Sequence, residues 1–523
     1  MDLIDFSYEL YYHYRFYLEG LSILFLICLP LILLIICIII PNYRIDLLRY
    51  FSLIGSFIIL LYSLLLLYFL DLNQLGLYNK YILNTFSIHN NILEYSLGLD
   101  ILSLIFIILT TILMLICFLI NWNNIKYFNK EFIIGLFFLE FIIFNIFCCL
   151  NLLLFYIFFE SVLIPMFLVI GIWGSRRRKI HASYQFFMYT FFGSIFMLIG
   201  IFWLFYFTNS LNFMTLTYII YSKVNILPYE ILIWFSFFLG FAVKIPMLPL
   251  HIWLPEAHVE APTTGSVLLA GILLKLGTYG MLRILLPFFP IITDYLSSII
   301  FVFSLLGIIY SSLVTIRQID LKKIIAYSSV VHMNFSILGL FSLNFFAIIG
   351  SIFLMLSHGI VSGGLFFYIG ALYDRYKTRI LKYYGGLVQV MPIFAICFFI
   401  LSFANIGLPG TSSFVGEILT IVGIIDSNFF LISILGSSSI LLGAVYAIWL
   451  YNRILYFKLN LVYFKKFTDL TQREVFISFV IIFLVIFFGV FPKYLLQLLT
   501  DFTTVYMQLL NPYFILNINN NNR

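Results

Sequence analysis

Residues 237–258 read FFLGFAVKIPMLPLHIWLPEAH, and residues 265–282 read GSVLLAGILLKLGTYGML. Both are apolar stretches with a lysine inside them, Lys244 in the first and Lys275 in the second. At the centre of a membrane helix a lysine costs roughly 2.5–3.5 kcal/mol. Two carboxylates sit in similar surroundings: Glu160 within NLLLFYIFFESVLIPMF and Glu417 within GLPGTSSFVGEILTIV. Together the four groups cost on the order of 10 kcal/mol against apolar residues. A membrane chain with such a pattern is expected to move charge.

The composition supports a membrane reading. The chain is 63% hydrophobic and 10% charged, where soluble domains carry about 25% charged residues. Apolar runs of about 20 residues recur from end to end, long enough to span the hydrocarbon core as helices. The short alternating segments of a membrane barrel are missing. The expected fold class is an all-α integral membrane protein of about fourteen transmembrane helices. They fall near 21–40, 50–70, 98–120, 131–150, 151–172, 185–207, 230–254, 263–286, 293–315, 322–341, 345–371, 388–425, 428–452 and 474–496. The connection 71–97 is polar enough to leave the membrane, and 208–229 has room for a short interfacial helix.

Charge tests this layout. One set of alternate loops holds twenty of the 28 lysines and arginines, among them Arg44, Lys126, Arg176, Arg177, Arg178, Lys179, Lys322, Arg379, Lys465 and Lys466. The positive-inside rule assigns that side to the matrix or cytoplasm, with both termini on the opposite side. The formal charge of +6 therefore follows topology and implies no nucleic-acid partner. The N-terminus lacks the layout of a signal or transit peptide. Abundant Phe, Tyr, Ile, Leu and Asn suggest an A/T-rich organellar gene. The six cysteines show no spacing for a metal or redox centre.

The seventh span contains Pro246 and Pro249, and the twelfth contains Gly407, Pro409 and Gly410. Proline removes a backbone donor and clashes with the preceding turn. Broken backbone at membrane depth survives where it is buried in protein or lines a wet cavity. Paired interruptions in corresponding positions point to two inverted five-helix repeats. The domain layout expected is 1–130 for spans 1–3, 131–286 and 293–452 for the repeats, and 474–523 for the last span and tail. This symmetry rests on helix order, since no residue-level repeat is detectable.

Glu160 and Lys244 suit an opposed pair, either titrating or fastening two helices as a static bridge. Lys275 has no acidic residue in its own span, and a lysine that can sit neutral is able to accept or release a proton. Gly271, Gly277 and Gly280 around it fit close helix packing. His332 in the tenth span and His358 in the eleventh are relay groups or satisfied core histidines. Glu417 follows the second break and suits the end of a relay, or faces a polar loop. Glu140 is a further membrane carboxylate without an assigned role, and His251 a weaker candidate. Glu256, His258 and Glu260 are expected near loop level, solvated or capping.

The stretches 152–190, 242–283, 320–339 (DLKKIIAYSSVVHMNFSILG), 357–375 (SHGIVSGGLFFYIGALYDR) and 405–419 (NIGLPGTSSFVGEIL) resemble the family of NADH dehydrogenase subunit 4 of mitochondrial complex I. The resemblance covers roughly residues 95–455. It implies an antiporter-like membrane-arm subunit that translocates protons without a redox centre of its own. NADH, flavin, iron–sulfur clusters and ubiquinone would belong to partner subunits. It implies neighbours such as the antiporter-like subunits 2 and 5, together with lipids, in the mitochondrial inner membrane. In its terms Glu160 and Lys244 are the ion pair, Lys275 the central relay, His332 and His358 the bridging groups, and Glu417 the exit-side group. The wider family includes cation/proton antiporters, in which lysine is general at the position of Glu417. A sodium/proton antiporter subunit and a non-conducting scaffold are the competing readings.

Overall fold

A computed structural model of the chain describes residues 22–69, 83–88, 93–125, 127–222, 229–459 and 468–510. The N-terminal stretch before residue 22, Lys126, Lys465, Lys466, much of the connection 71–97 and the tail beyond 510 lie outside the described residues. Twelve described helices are long and apolar enough to cross a membrane. In chain order the elements are α1 (Ser22–Ile39), α2 (Ile45–Phe69), β1 (Leu83–Ile88), β2 (Leu93–Leu97), α3 (Ile101–Asn124) and α4 (Asn129–Cys148). They continue with α5 (Leu152–Ser161), α6 (Leu163–Trp173), α7 (Lys179–Thr208), α8 (Phe213–Ser222), α9 (Glu230–Lys244), α10 (Trp253–Glu260) and α11 (Thr263–Phe288). The remainder are α12 (Pro290–Arg317), α13 (Leu321–Phe341), α14 (Phe345–Tyr376), α15 (Pro392–Ile406), α16 (Ser412–Asp426), α17 (Phe430–Leu455), α18 (Gln472–Val490) and α19 (Lys493–Leu510).

The described residues form two compact units. Within the described residues, one draws on the segments between 22 and 115, 127–165 and 198–222, the other on 116–125, 166–197 and the segments between 229 and 510. In the first, Lys130 closes the end of α1, its Nζ donating to the carbonyls of Ile38 and Ile40, each at 2.8 Å. A helix leaves its last carbonyls unbonded, and a nearby lysine is a good donor for them. β1 and β2 form an antiparallel hairpin with Leu83 opposite Leu97. It was expected only as a polar connection. The Gly98 N–H donates to the Cys148 carbonyl at 2.8 Å, and the Leu150 N–H to that of Ser96 at 3.0 Å. Asn151 then caps α5, accepting from the N–H of Leu153 at 3.0 Å.

In the second unit α14 is central, buried at every position from Ala347 to Leu372. Its most extensive packing is against α16. Glycines make this possible: a Cβ on Gly423 would collide with Ala347, and one on Gly416 would lie 2.9 Å from the Leu354 Cα. α11 is buried along its whole length and carries two π-helical turns, Leu269–Leu273 and Met281–Leu285, on either side of Lys275. Periodicity along the sequence gave no sign of them.

Both expected interruptions are present. α9 stops at Lys244, just before Pro246, and the chain resumes as a helix at Trp253. The carbonyls freed there are taken up locally: Trp253 Nε1 donates to Val243 at 2.9 Å and the Met247 N–H to Ala242 at 3.1 Å. The second interruption follows Ile406. Gly407 adopts φ 82°, and the Leu408 N–H reaches the Phe403 carbonyl at 3.3 Å. This left-handed terminus suits glycine. A further interruption, at Val162 between α5 and α6, was not anticipated. Nor was α19, which buries Leu499, Phe502, Tyr506 and Leu510 while exposing Lys493, Gln497 and Thr504. That single apolar stripe marks an amphipathic helix.

Gly423→Leu should force α14 and α16 apart at a cost of about 1–3 kcal/mol. Thermal unfolding in detergent should show a lower midpoint. An unchanged midpoint would mean that the two helices separate freely.

Candidate functional site

Lys275 is fully buried in the second unit. Its Nζ donates to the carbonyl of Ala270 in the first π-helical turn and lies 2.9 Å from His358 Nδ1. In that turn the Leu274 N–H reaches back five residues to the Leu269 carbonyl and not to Ala270. The Ala270 carbonyl is thereby opened to the lysine. His358 projects from the buried centre of α14, and the ring centroids of His358 and His332 are 5.5 Å apart. His332 Nδ1 is 3.5 Å from Glu417 Oε1. Asn405, at the end of α15, lies beside His332. Four residues from four helices thus form one file: Lys275 on α11, His358 on α14, His332 on α13 and Glu417 on α16.

The local backbone explains the placing of Glu417. Its carboxylate rests against Gly407, where a Cβ would collide with Oε2. The glycine therefore serves both the left-handed turn and the room for the acid. Tyr446, also fully buried, lies near enough for its hydroxyl to feel the charge of Glu417.

Lys244 is the last residue of α9 and is 6% exposed. A cation at that position faces the negative end of the helix dipole. The end of α9 packs on the Lys275 segment: a Cβ on Gly277 would meet Ile245 at 2.6 Å, and one on Gly280 would strike the Phe241 ring. These glycines are required for close approach. Glu160 occupies the last turn of α5 in the first unit and is half-buried.

Of the three residues placed near loop level, His258 and Glu260 need correction and Glu256 does not. His258 is 0% exposed, stacks on Phe366 with centroids 4.6 Å apart, and has no hydrogen-bond partner on either ring nitrogen among the described residues. Glu260 is also buried, with Oε1 3.9 Å from Arg379 Nη2. Glu256 is partly exposed and pairs with Lys323 at 2.7 Å. Lys322 and Arg379, counted among the loop charges, are buried as well, and Lys322 Nζ donates to the Ala261 carbonyl at 2.8 Å. Their neighbours in sequence are polar, which disguised them. The chain folds back over these residues through the connection before α11, whose Ala261 and Glu260 carbonyls are both bonded. Glu140 is 0% exposed in the first unit, and neither carboxylate oxygen has a hydrogen-bond partner among the described residues. His251 is buried beside the Tyr310 ring, with centroids 5.7 Å apart.

Residues 149–443 match the family model described as NADH:quinone oxidoreductase/Mrp antiporter, TM. The chain is 53% identical over 79% of its length to NADH-ubiquinone oxidoreductase chain 4 of Acanthamoeba castellanii, covering 82% of that protein. It is 50% identical over 90% of its length to the chain 4 of Marchantia polymorpha, covering 94% of it. Among solved structures, a chain of respiratory complex I from Thermus thermophilus aligns with TM-score 0.83 at 25% identity. That alignment covers 93% of this chain and 99% of the other. A chain of the Mrp complex from Dietzia aligns with TM-score 0.81 at 16% identity, over 94% and 99%, a likeness of fold alone.

His258→Phe removes two unbonded polar atoms while keeping the ring that stacks on Phe366. Folding should gain up to about 1–3 kcal/mol or stay unchanged. Thermal unfolding would measure this, and a drop of several degrees would mean that the imidazole holds a bond essential to the fold.

Proposed function

Because this chain belongs to the NADH:quinone oxidoreductase/Mrp antiporter membrane family, we propose that it translocates protons as the antiporter-like chain 4 of a respiratory NADH:ubiquinone oxidoreductase. It is a multi-pass membrane protein whose partners are other subunits of that complex. The proposal extends to a place in the mitochondrial inner membrane beside the antiporter-like subunits 2 and 5, with organelle encoding. It also extends to the two inverted repeats at 131–286 and 293–452, fourteen crossings when each interrupted span counts as one. NADH, flavin, iron–sulfur clusters and ubiquinone act in partner subunits, and this chain supplies no redox site.

The observation that carries the relay is the file Lys275–His358–His332–Glu417. Lys275 Nζ and His358 Nδ1 are close enough to share one proton, and two positive charges at that distance would repel strongly in a medium of low dielectric. One proton therefore belongs to the pair and can rest on either nitrogen. When it leaves through His358, the second ring nitrogen presents it toward His332, with a water bridging the wider gap. His332 passes it to the Glu417 carboxylate. Upstream, the negative charge of Glu160 holds the proton on Lys244. Weakening that attraction, by redox-driven change in partner subunits, releases the proton toward Lys275.

Glu417→Gln keeps size and hydrogen-bonding capacity but cannot take up a proton. Membranes matched for assembled complex should show normal assembly with fewer protons moved per NADH oxidised. A wild-type ratio would remove Glu417 from the path.

Glu160→Ala and Lys244→Ala should each lower that same ratio, and the double variant should lose less than the two effects combined. Strict additivity in well-assembled complexes would argue against a working pair.

A further inference from the structure

The second π-helical turn of α11 leaves the Leu282 carbonyl without its ordinary helical donor. The Leu286 N–H reaches back five residues to Met281, so it does not serve Leu282 in the ordinary α register. The next candidate in a π register is residue 287, which is proline and has no N–H. The Leu282 carbonyl is buried, and an unmet buried acceptor is costly. It accepts instead from the hydroxyl of Tyr506 at 2.7 Å. Tyr506 is 1% exposed and comes from α19, whose apolar stripe packs on α14 and on the end of α11.

We propose that Tyr506 is a positioning residue for Lys275, acting through the turn Met281–Leu285. This rests on the reading of Lys275 as a proton carrier. The turn has two hydrogen-bonding registers. In the π register Leu286 bonds to Met281, and Tyr506 completes Leu282. In the α register Leu286 bonds to Leu282, and the tyrosine is not needed. A helix advances about 100° per residue, so a change of register rotates the Lys275 side of α11 against the segment beyond Leu286. A rotation even part of that size would break the 2.9 Å contact between Lys275 and His358. The Tyr506 hydroxyl weights the equilibrium toward the register in which the file is continuous. Losing one buried hydrogen bond shifts such an equilibrium by about ten-fold.

The test measures protons moved per NADH oxidised in membranes matched for assembled complex, with Lys275→Ala as reference. Tyr506→Phe should lower the ratio toward that of Lys275→Ala while NADH oxidation per assembled complex holds. A merely structural role would instead lower the amount of complex without changing the ratio. Pro287→Ala restores an N–H that can reach Leu282 in the π register, so Tyr506→Phe/Pro287→Ala should recover most of the loss. If Tyr506→Phe prevents assembly, the same second change should restore assembly. The proposal is overturned if Tyr506→Phe keeps the wild-type ratio while Lys275→Ala does not, or if Pro287→Ala rescues nothing. A wild-type ratio in Lys275→Ala overturns instead the reading of Lys275 on which it rests.

Discussion

The arrangement around Lys275 is set by the cost of burying an amine that no carboxylate pairs with among the described residues. Among the described residues its Nζ has a backbone carbonyl and an imidazole for company. Both depend on unusual local structure. The carbonyl is available because α11 departs from α geometry at Leu269–Leu273. The imidazole is in reach because α14 is buried at the heart of its unit. α14 in turn needs a close partner along its length, and α16 serves through Gly416 and Gly423. α16 brings Glu417 with it. One amine thus links a helix irregularity, a glycine-mediated helix contact and the placement of an acid three helices away.

The interrupted helices perform a related task. A carbonyl at a helix end carries partial negative charge, and Lys244 is at such an end. Its charge is partly answered by the backbone before any side chain is considered. At the other interruption Gly407 closes α15 without a Cβ, and the space a Cβ would fill belongs to Glu417. Each break removes hydrogen bonds from one helix and is repaired by a specific donor: Trp253 Nε1 at the first, the Ser413 hydroxyl on Ala404 at the second. The breaks are consequently stable features of the backbone.

What could be read from the sequence had a strong physical signal. A lysine or glutamate inside an apolar run stands out by its transfer cost, and Pro246 and Gly407 announce a helix end. Lys244, Lys275, Glu160 and Glu417 were visible for that reason. His258, Glu260, Lys322 and Arg379 were misplaced because each lies at the edge of a polar stretch, where local composition looks like a loop. Their burial comes from chain segments far away in sequence. The π-helical turns leave no mark on periodicity, since one extra residue in a wholly apolar helix changes no pattern of burial. Tyr506 was hidden because α19 mixes Gln, Thr and Asp with its apolar stripe and reads as tail.

The donor set also bears on which ion the file can carry. The Mrp chain, at 16% identity, is alike in fold alone, and a shared backbone does not name an ion. Hard cations take several oxygen ligands at once. Around Lys275 the described partners are one carbonyl oxygen and an imidazole nitrogen, next to an amine that repels a cation when protonated. A bare sodium ion would exchange its hydration shell for a single oxygen there. A proton asks for much less: a nitrogen or oxygen lone pair within hydrogen-bond reach of the next. Lys275 and His358 satisfy that directly, His332 Nδ1 and Glu417 Oε1 are 3.5 Å apart, and one bridging water would span the wider gap between the two histidines. On the proposed reading, the donor set at the centre of the file suits a proton better than a metal cation.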